Sequence, residues 1–284
     1  MYKWIGALPF LAAGAAGFAY YQNNALEITR LTLEAPVERT LTVVHLSDLH
    51  SKQYGRGNVR LIYHIRTLAP DVVVFTGDLV DDSCKHLEET VDFLGKLAQG
   101  CPVVFVAGNH DHRGGRYREI RTRLQDKRVT VVDNSITTLH INGTRVHFLG
   151  LYAEQGSFES YRRMAKGSFQ YPDHRPLLRQ LEQLDGLKLV LCHFPENFAL
   201  MGAYSYQNHR FDLMFSGHAH GGQFILPLVG GVLAPGQGFF PKYYRGVYGT
   251  GPKLVVSRGL GNSSFPLRLF NRPEIIAVTL TNEK

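Results

Sequence analysis

Residues 41–50 read LTVVHLSDLH, a run of apolar and β-branched residues that ends on Asp48 and His50. Two later stretches follow the same plan, VVVFTGD at residues 72–78 and VVFVAGN at residues 103–109. Short runs rich in valine are typical of buried strands. Because open α/β sheets bind ligands at the carboxyl ends of their strands, these polar residues predict a site there.

The segments between these runs indicate how the strands are connected. Helical periodicity at residues 59–68 and 86–98 predicts crossover helices between parallel strands. From residue 129 the pattern changes, and Asn142-Gly143 marks a hairpin. We assign the later strands to a second sheet, and they lie at residues 129–132, 136–141, 145–151, 187–191, 211–215, 253–257 and 275–280. The sequence therefore predicts an α/β fold of two mixed sheets packed face to face, with helices outside.

Composition places the chain among globular proteins. Of its 284 residues, 44% are hydrophobic and 19% are charged, which suits a full core rather than disorder. The three cysteines are too few, and odd in number, for a disulfide scaffold. The formal net charge is +7, and much of the excess lies at residues 113–128. That segment is either a solvated helix face or a patch facing an anionic surface, and it matches no nucleic-acid module.

The first 25 residues differ from the rest. Residues 4–21 carry no charge and Lys3 precedes them. Eighteen residues is near the lower limit for a helix that crosses a bilayer. We predict an N-terminal hydrophobic helix within a signal-anchor at residues 1–25, with a membrane-anchored, extracytoplasmic catalytic domain at residues 41–284 and a linker and edge strand at residues 26–40. A cleaved signal peptide and a buried domain helix are the alternatives.

Five short signatures follow one another along the chain: Asp48-Leu49-His50, Gly77-Asp78, Gly108-Asn109-His110-Asp111, Cys192-His193 and Gly217-His218-Ala219-His220. They supply carboxylates, an amide oxygen and imidazoles, which is a ligand set for two adjacent divalent metals. Their order resembles that of the calcineurin-like metallophosphoesterase superfamily from about residue 42 to about residue 257. The charge-free N-terminus and the run GHAHGGQ are similar to the bacterial membrane-anchored branch of that superfamily.

The resemblance implies a four-layer α/β/β/α sandwich and a dinuclear site. One metal would be held by Asp48, His50, Asp78 and His220. The other would be held by Asp78, Asn109, His193 and His218. Mixed oxygen and imidazole ligands suit Mn, Fe or Zn better than Ca.

The remaining polar residues of these signatures are assigned to proton transfer. The resemblance makes His110 the group that protonates the leaving oxygen or stabilises developing charge, and Asp111 would orient it. Asp81 or Asp82 is a candidate hydrogen-bond acceptor for a ligand histidine. Cys192 is interpreted as a small core residue.

The expected function is a dinuclear metal-dependent phosphoester hydrolase, in which a metal-bridging hydroxide attacks phosphorus. The expected substrate is a phosphodiester or pyrophosphate of the cell envelope. A soluble nucleotide or nucleic-acid phosphodiesterase of the same fold is one alternative, and a non-catalytic envelope-binding scaffold is another. Candidate substrate contacts follow Asp111 or lie in a long loop rich in glycine, proline and aromatic residues, and they are His112, Arg113, Arg116, Tyr243 and Arg245.

Overall fold

Two six-stranded mixed sheets form the centre of the computed structural model, which describes residues 8–152, 172–262 and 265–282. The helices of this part of the chain are α1 Leu8–Asn24, α2 Val59–Thr67, α3 Leu87–Ala98, α4 Asn109–Arg113, α5 Tyr117–Asp126 and α6 Arg175–Glu182. Its strands are β1 Glu27–Glu34, β2 Leu41–Leu46, β3 Val72–Thr76, β4 Val103–Val106, β5 Thr130–Val131, β6 Ser135–Ile141, β7 Thr144–Leu151, β8 Leu187–Cys192, β9 Leu213–Ser216, β10 Ile225–Leu226, β11 Gly230–Gly231, β12 Leu233–Ala234, β13 Gly238–Phe239, β14 Gly246–Tyr248, β15 Lys253–Val256 and β16 Glu274–Thr281.

The first sheet has the strand order β1-β16-β2-β3-β4-β5. Strands β2 to β5 are parallel, as the crossover pattern predicts, whereas β16 runs antiparallel to β2. We expected residues 129–132 and 275–280 in the second sheet, and that assignment is wrong. Val278 pairs with Val43 of β2, and Val131 pairs with Phe105 of β4. Short apolar strands carry no signal in their sequence for the sheet that they join.

The second sheet has the order β14-β15-β9-β8-β7-β6. Strands β7, β8, β9 and β15 are parallel, and the edge strands β6 and β14 are antiparallel to their neighbours. The predicted hairpin is confirmed, because Asn142 and Gly143 connect β6 to β7 with positive φ angles of 50° and 84°. Both sheets are therefore mixed, as predicted.

The layers are defined by three apolar clusters. Between the sheets, Val74 and Val104 of the first pack in one cluster with Phe148 and Phe215 of the second. Helices α2, α3 and α5 cover the outer face of the first sheet, and α6 covers the outer face of the second. This arrangement leaves the carboxyl ends of β2, β3, β4, β8 and β9 at one common edge.

Helix α1 lies against the body at its carboxyl-terminal end. The charge-free run was predicted to begin at residue 4, and residues 4–7 lie outside the described residues. Among residues 8–152, 172–262 and 265–282, no helix is both long and apolar enough to cross a membrane. The backbone N–H of Arg268 donates to Asn23 Oδ1 at 2.9 Å, and Lys52 Nζ donates to the Asn23 carbonyl. The residues predicted as linker and edge contain β1, which lies at the edge of the first sheet beside β16.

Gly77 allows the turn from β3 into Asp78. Its φ angle is +86°, and a Cβ there would lie 2.4 Å from the backbone nitrogen of Gly108. We expect Gly77→Ala to lower the free energy of unfolding by about 2–4 kcal/mol. The positive φ is unfavourable for alanine, and the added carbon would clash with the rigid backbone of Gly108. Gly115→Ala is the matched control: its φ is +69° and nothing lies within 4 Å of the added carbon, so the loss should be about 1 kcal/mol. Urea unfolding of both variants measures this, and equal losses would contradict the steric argument.

Candidate metal centre

The side chains predicted as metal ligands lie together at the edge where strands of both sheets end. All of them are buried. They follow β2 (Asp48 and His50), β3 (Asp78), β4 (Asn109), β8 (His193) and β9 (His218 and His220). The structure thus brings together residues that are far apart in the sequence.

One group of ligand atoms surrounds Asp48. His220 Nε2 lies 3.5 Å from Asp48 Oδ1 and 3.3 Å from His50 Nε2. His50 Nε2 lies 3.6 Å from Asp78 Oδ2. Atoms separated in this way can share one ion, since metal–ligand bonds are about 2 Å long.

The second group lies on the other side of Asp78. His193 Nε2 is 3.2 Å from Asp78 Oδ2 and 3.1 Å from His218 Nδ1. Asp78 Oδ2 is therefore common to both groups. In the described part of the chain, the buried Asn109 Oδ1 atom accepts no hydrogen bond. Burying a polar oxygen without a partner is costly, so this atom fits a cation ligand.

The backbone at these residues is unusual. Asp48, His50, Asp78, His218 and His220 have positive φ angles of 53°, 48°, 55°, 64° and 46°. Residues other than glycine rarely adopt this conformation, and such strain is found mainly at functional sites. Strand β2 ends at Leu46, so Asp48 and His50 both lie beyond it. The left-handed turns, not a strand, direct these side chains to the common site.

The imidazoles divide into two electrostatic classes. Burial lowers the pKa of His50 to about 4 and holds the pKa values of His218 and His220 well below their usual value. These rings are neutral near pH 7 and have a lone pair available. Burial also disfavours a charged His193, but the Asp78 and Asp48 carboxylates outweigh that effect and raise its pKa to about 10. In the metal-free protein, protonated His193 supplies the positive charge that two buried carboxylates require.

Two residues outside the predicted set orient the ligands. His193 Nδ1 lies 2.7 Å from the backbone carbonyl of Thr76, and Asn271 Nδ2 donates to the carbonyl of His220 at 2.7 Å. Such outer contacts hold a ligand in position. A backbone carbonyl leaves no signal in the sequence, and Asn271 lies 51 residues beyond His220.

Asp111 does not orient His110, so that prediction is wrong. The Asp111 carboxylate accepts N–H groups from the backbone, and their donors are Asp78, Leu79, Val80 and Gly108. Burial and the Asp78 charge raise the pKa of Asp111 to about 7, while the N–H donors of Gly108 and Val80 oppose the rise. Asp111 therefore fastens the turn after β3 to the start of α4.

His110 is oriented by Asp82 instead. Its Nδ1 lies 2.5 Å from Asp82 Oδ1, so Asp82 contacts the candidate proton donor and not one of the predicted ligand histidines. Asp81 contacts the hydroxyl groups of Ser51 and Ser83. His110 is also close enough to His50 and Asp78 to join them around an ion.

Of the predicted substrate contacts, Arg113 lies closest to the candidate acid. Its Nη1 atom is 3.4 Å from His110 Nε2. Arg116 instead donates two hydrogen bonds to Glu119, at 2.8 and 3.0 Å. Lys127 of the same basic segment pairs with Asp92 at 2.5 Å. These ion pairs favour the interpretation of α5 as a solvated helix face.

The other predicted contacts differ in their surroundings. His112 is stacked between Tyr117 and Tyr152, with ring centroids 3.9 and 4.1 Å away. Tyr243 is buried in the cluster outside the second sheet. Both aromatic groups serve packing, whereas Arg245 is exposed.

The calcineurin-like phosphoesterase profile matches residues 41–222, which is more than half of the chain and includes every candidate ligand. The chain belongs to the calcineurin-like phosphoesterase family. It is thus a metal-dependent phosphoesterase, and its clustered Asp and His side chains suit two divalent metals.

Individual relatives agree with this assignment. The chain is 29% identical over 292 residues to the metallophosphoesterase YkuE of Bacillus subtilis (strain 168), covering 99% of this chain and 94% of the relative. It is 28% identical over 246 residues to the phosphodiesterase YaeI of Escherichia coli (strain K12), covering 84% and 81%. The solved structure of TT1561 of Thermus thermophilus has the same fold, with a TM-score of 0.50 and 14% identity, covering 78% of this chain and 91% of that one.

Metal binding should release a proton from His193. At about pH 8 the metal-free His193 is charged, since its pKa is about 10, and a metal must displace that proton. We expect about one proton released per chain and an affinity for Zn²⁺ that rises between about pH 7 and pH 9. The His193 pairing also stabilises the metal-free fold fully below about pH 6.5, and this contribution is lost as the pH rises through about 10.

Calorimetric titration in buffers of different ionisation enthalpy measures the released protons. His209→Gln is the control, because that histidine pairs with Glu182 at 3.0 Å rather than with Asp48 or Asp78. It should release as many protons as the unmodified protein. An affinity independent of pH would contradict the charge assigned to His193.

Proposed function

We propose that this phosphoesterase hydrolyses a phosphodiester or pyrophosphate of the cell envelope and is held at the membrane by its N-terminus, with the catalytic domain outside the cytoplasm. The observation that carries the hydrolytic part is the position of Asp78 Oδ2 between two sets of imidazoles, 3.6 Å from His50 and 3.2 Å from His193. A carboxylate in that position could help to hold both ions.

Each residue has a distinct role in this proposal. Asp48, His50, Asp78 and His220 would hold one metal, and Asp78, Asn109, His193 and His218 would hold the other. Two divalent ions bound there supply Lewis-acid contacts to phosphate oxygens and lower the pKa of bound water. Thr76 and Asn271 hold His193 and His220 in place through the contacts described above.

In this proposal, His110 protonates the leaving oxygen. Asp82 accepts from Nδ1, which leaves Nε2 as the nitrogen that would pass a proton to the leaving oxygen. The Arg113 guanidinium lies beside the same nitrogen, where its planar donors can meet a phosphate oxygen. The contact between His110 and Asp82 is therefore a positioning contact, and Arg113 is a candidate for substrate binding.

Three observations support the proposed activity, substrate class and location. The relative YaeI is named a phosphodiesterase. Helix α1 carries no charged residue, and it exposes Phe10, Leu11 and Tyr20. The complete ligand set argues against a non-catalytic scaffold, since a binding module has no need of it.

The test is hydrolysis by the full chain, purified in mild detergent and loaded with Mn²⁺, Fe²⁺ or Zn²⁺. The substrates are phosphomonoesters, a wall-polymer phosphodiester, an isoprenoid-lipid pyrophosphate, a cyclic nucleotide and a short nucleic acid. The proposal expects the highest kcat/KM on an envelope diester or pyrophosphate. Preference for the nucleotide substrates would overturn it in favour of the nucleotide phosphodiesterase.

Replacing the shared carboxylate should affect both metals. We expect Asp78→Ala to bind less than one ion per chain and to lose about four orders of magnitude or more in kcat/KM. Asn109→Ala is the matched comparison, because Asn109 belongs to the second group only and one ion should remain. Elemental analysis and turnover of both variants decide this. Two ions per chain in Asp78→Ala would show that Asp78 does not bridge.

Replacing the proton donor should leave the metals bound. We expect His110→Ala to retain both ions while kcat falls by about two to four orders of magnitude. Asp82→Asn should lower kcat by about tenfold or more and shift the pH profile, since it changes the partner of Nδ1. Asp81→Asn is the control and should be close to unmodified. Loss of an ion in His110→Ala would instead make His110 a ligand beside His50.

A further inference from the structure

The loops that follow the metal centre expose many apolar side chains. We call these side chains the apolar face, and its members are Leu226, Leu228, Val229, Leu233, Phe239, Phe240, Phe265 and Phe270. Leu228 is fully exposed, Phe239 is 73% exposed and Phe240 is 67% exposed. A cluster of large apolar side chains in water is unfavourable and marks a site of interaction.

The two segments of this face form one continuous surface. Ile225 N–H donates to the carbonyl of Leu269 at 3.0 Å, and the rings of Phe224 and Phe265 meet edge to face at 5.4 Å. Val232 connects this region to the turn that carries Phe240. Its N–H donates to the carbonyl of Phe224, and its carbonyl accepts from the N–H of Phe240. These bonds hold the exposed side chains of residues 226–240 beside those of residues 265–270.

Helix α1 extends the same surface. The ring of Phe18 lies 6.0 Å from that of Phe270, and the Arg272 Nη1 atom donates to Tyr21 Oη at 2.9 Å. Phe10 and Leu11, nearer the start of α1, are exposed. The apolar face is therefore continuous with the apolar helix that precedes the catalytic domain.

The segment that carries most of the face contains no acidic residue. Residues 213–273 contain no aspartate or glutamate. Of their cations, Arg268 is buried, and Arg258 and Arg272 pair with Glu27 or Glu274 from other segments. Lys242 and Arg245 follow Phe239 and Phe240 closely and are exposed. Apolar side chains flanked by exposed cations are typical of surfaces that bind anionic lipid.

We propose that the apolar face docks on an anionic lipid bilayer, with its aromatic and leucine side chains among the headgroups. A second copy of this chain fits less well, because a twofold interface would bring the exposed Lys242 and Arg245 of one copy against those of the other. The face is also joined to the metal centre: Asn271 Nδ2 donates to the carbonyls of both His220 and Gln223, at 2.7 and 3.0 Å. Docking thus brings the site to the lipid surface, independently of which residues bind metal.

The test is flotation of the full chain with vesicles of phosphatidylcholine, alone or with a quarter of phosphatidylglycerol. The triple variant Leu228→Ser, Phe239→Ser and Phe240→Ser should bind the anionic vesicles at least about tenfold more weakly than the unmodified chain. The matched control is Val59→Ser with Tyr63→Ser, which removes two exposed apolar side chains of α2 and should bind normally. Phe10→Ser with Leu11→Ser separates the contribution of α1 from that of the loops.

Normal binding by the triple variant, or an equal loss in the α2 control, would overturn the docking proposal. Equal binding to both vesicle compositions would overturn the role of the cations. If sedimentation shows a dimer that only the triple variant loses, and neither protein floats, the face belongs to a second copy. Turnover of a dissolved aryl diester and metal content should not change in the triple variant, so these results remain separate from those that test hydrolysis.

Discussion

Two buried carboxylates, Asp48 and Asp78, lie among imidazoles where the ends of the two sheets meet, and they impose the constraint on which the site depends. Buried negative charges require a cation close by. Protonated His193 meets that requirement in the metal-free protein, and two divalent metals meet it in the active enzyme. The left-handed turns at the ligands and the bonds from Asp111 to the turn after β3 all serve to hold these groups together.

The sequence predicts most of the fold because its strands are short valine-rich runs and its helices connect them. The hairpin at Asn142-Gly143 was predictable from turn chemistry, since both residues tolerate positive φ. The place of β16 was not predictable. It lies between β1 and β2 in the first sheet although it comes last in the chain, and sequence order holds no information about such a return.

Within the site, residue types and their order were enough to find the groups that converge. Their partners were not predictable, because neighbours in sequence need not be neighbours in space. Asp111 follows His110 directly, yet its carboxylate faces the backbone after β3, and Asp82 reaches His110 from another loop. The composition of its loop indicated that Tyr243 could contact substrate. The Tyr243 side chain is buried instead, because its exposure depends on how the whole loop packs.

Two residues, Ala25 and Leu26, separate helix α1 from strand β1. This short connection and the hydrogen bonds from Arg268 and Lys52 to Asn23 restrict movement of the catalytic domain relative to helix α1. A domain on a long flexible linker moves through a large volume of solution, whereas this catalytic domain must move together with helix α1. If α1 is held at a bilayer, as proposed above, the search for substrate would be two-dimensional and the metal site would keep one orientation relative to the bilayer. Phosphates carried on lipids would then meet the centre at a high effective concentration, whereas dissolved esters would reach it only by diffusion through solution.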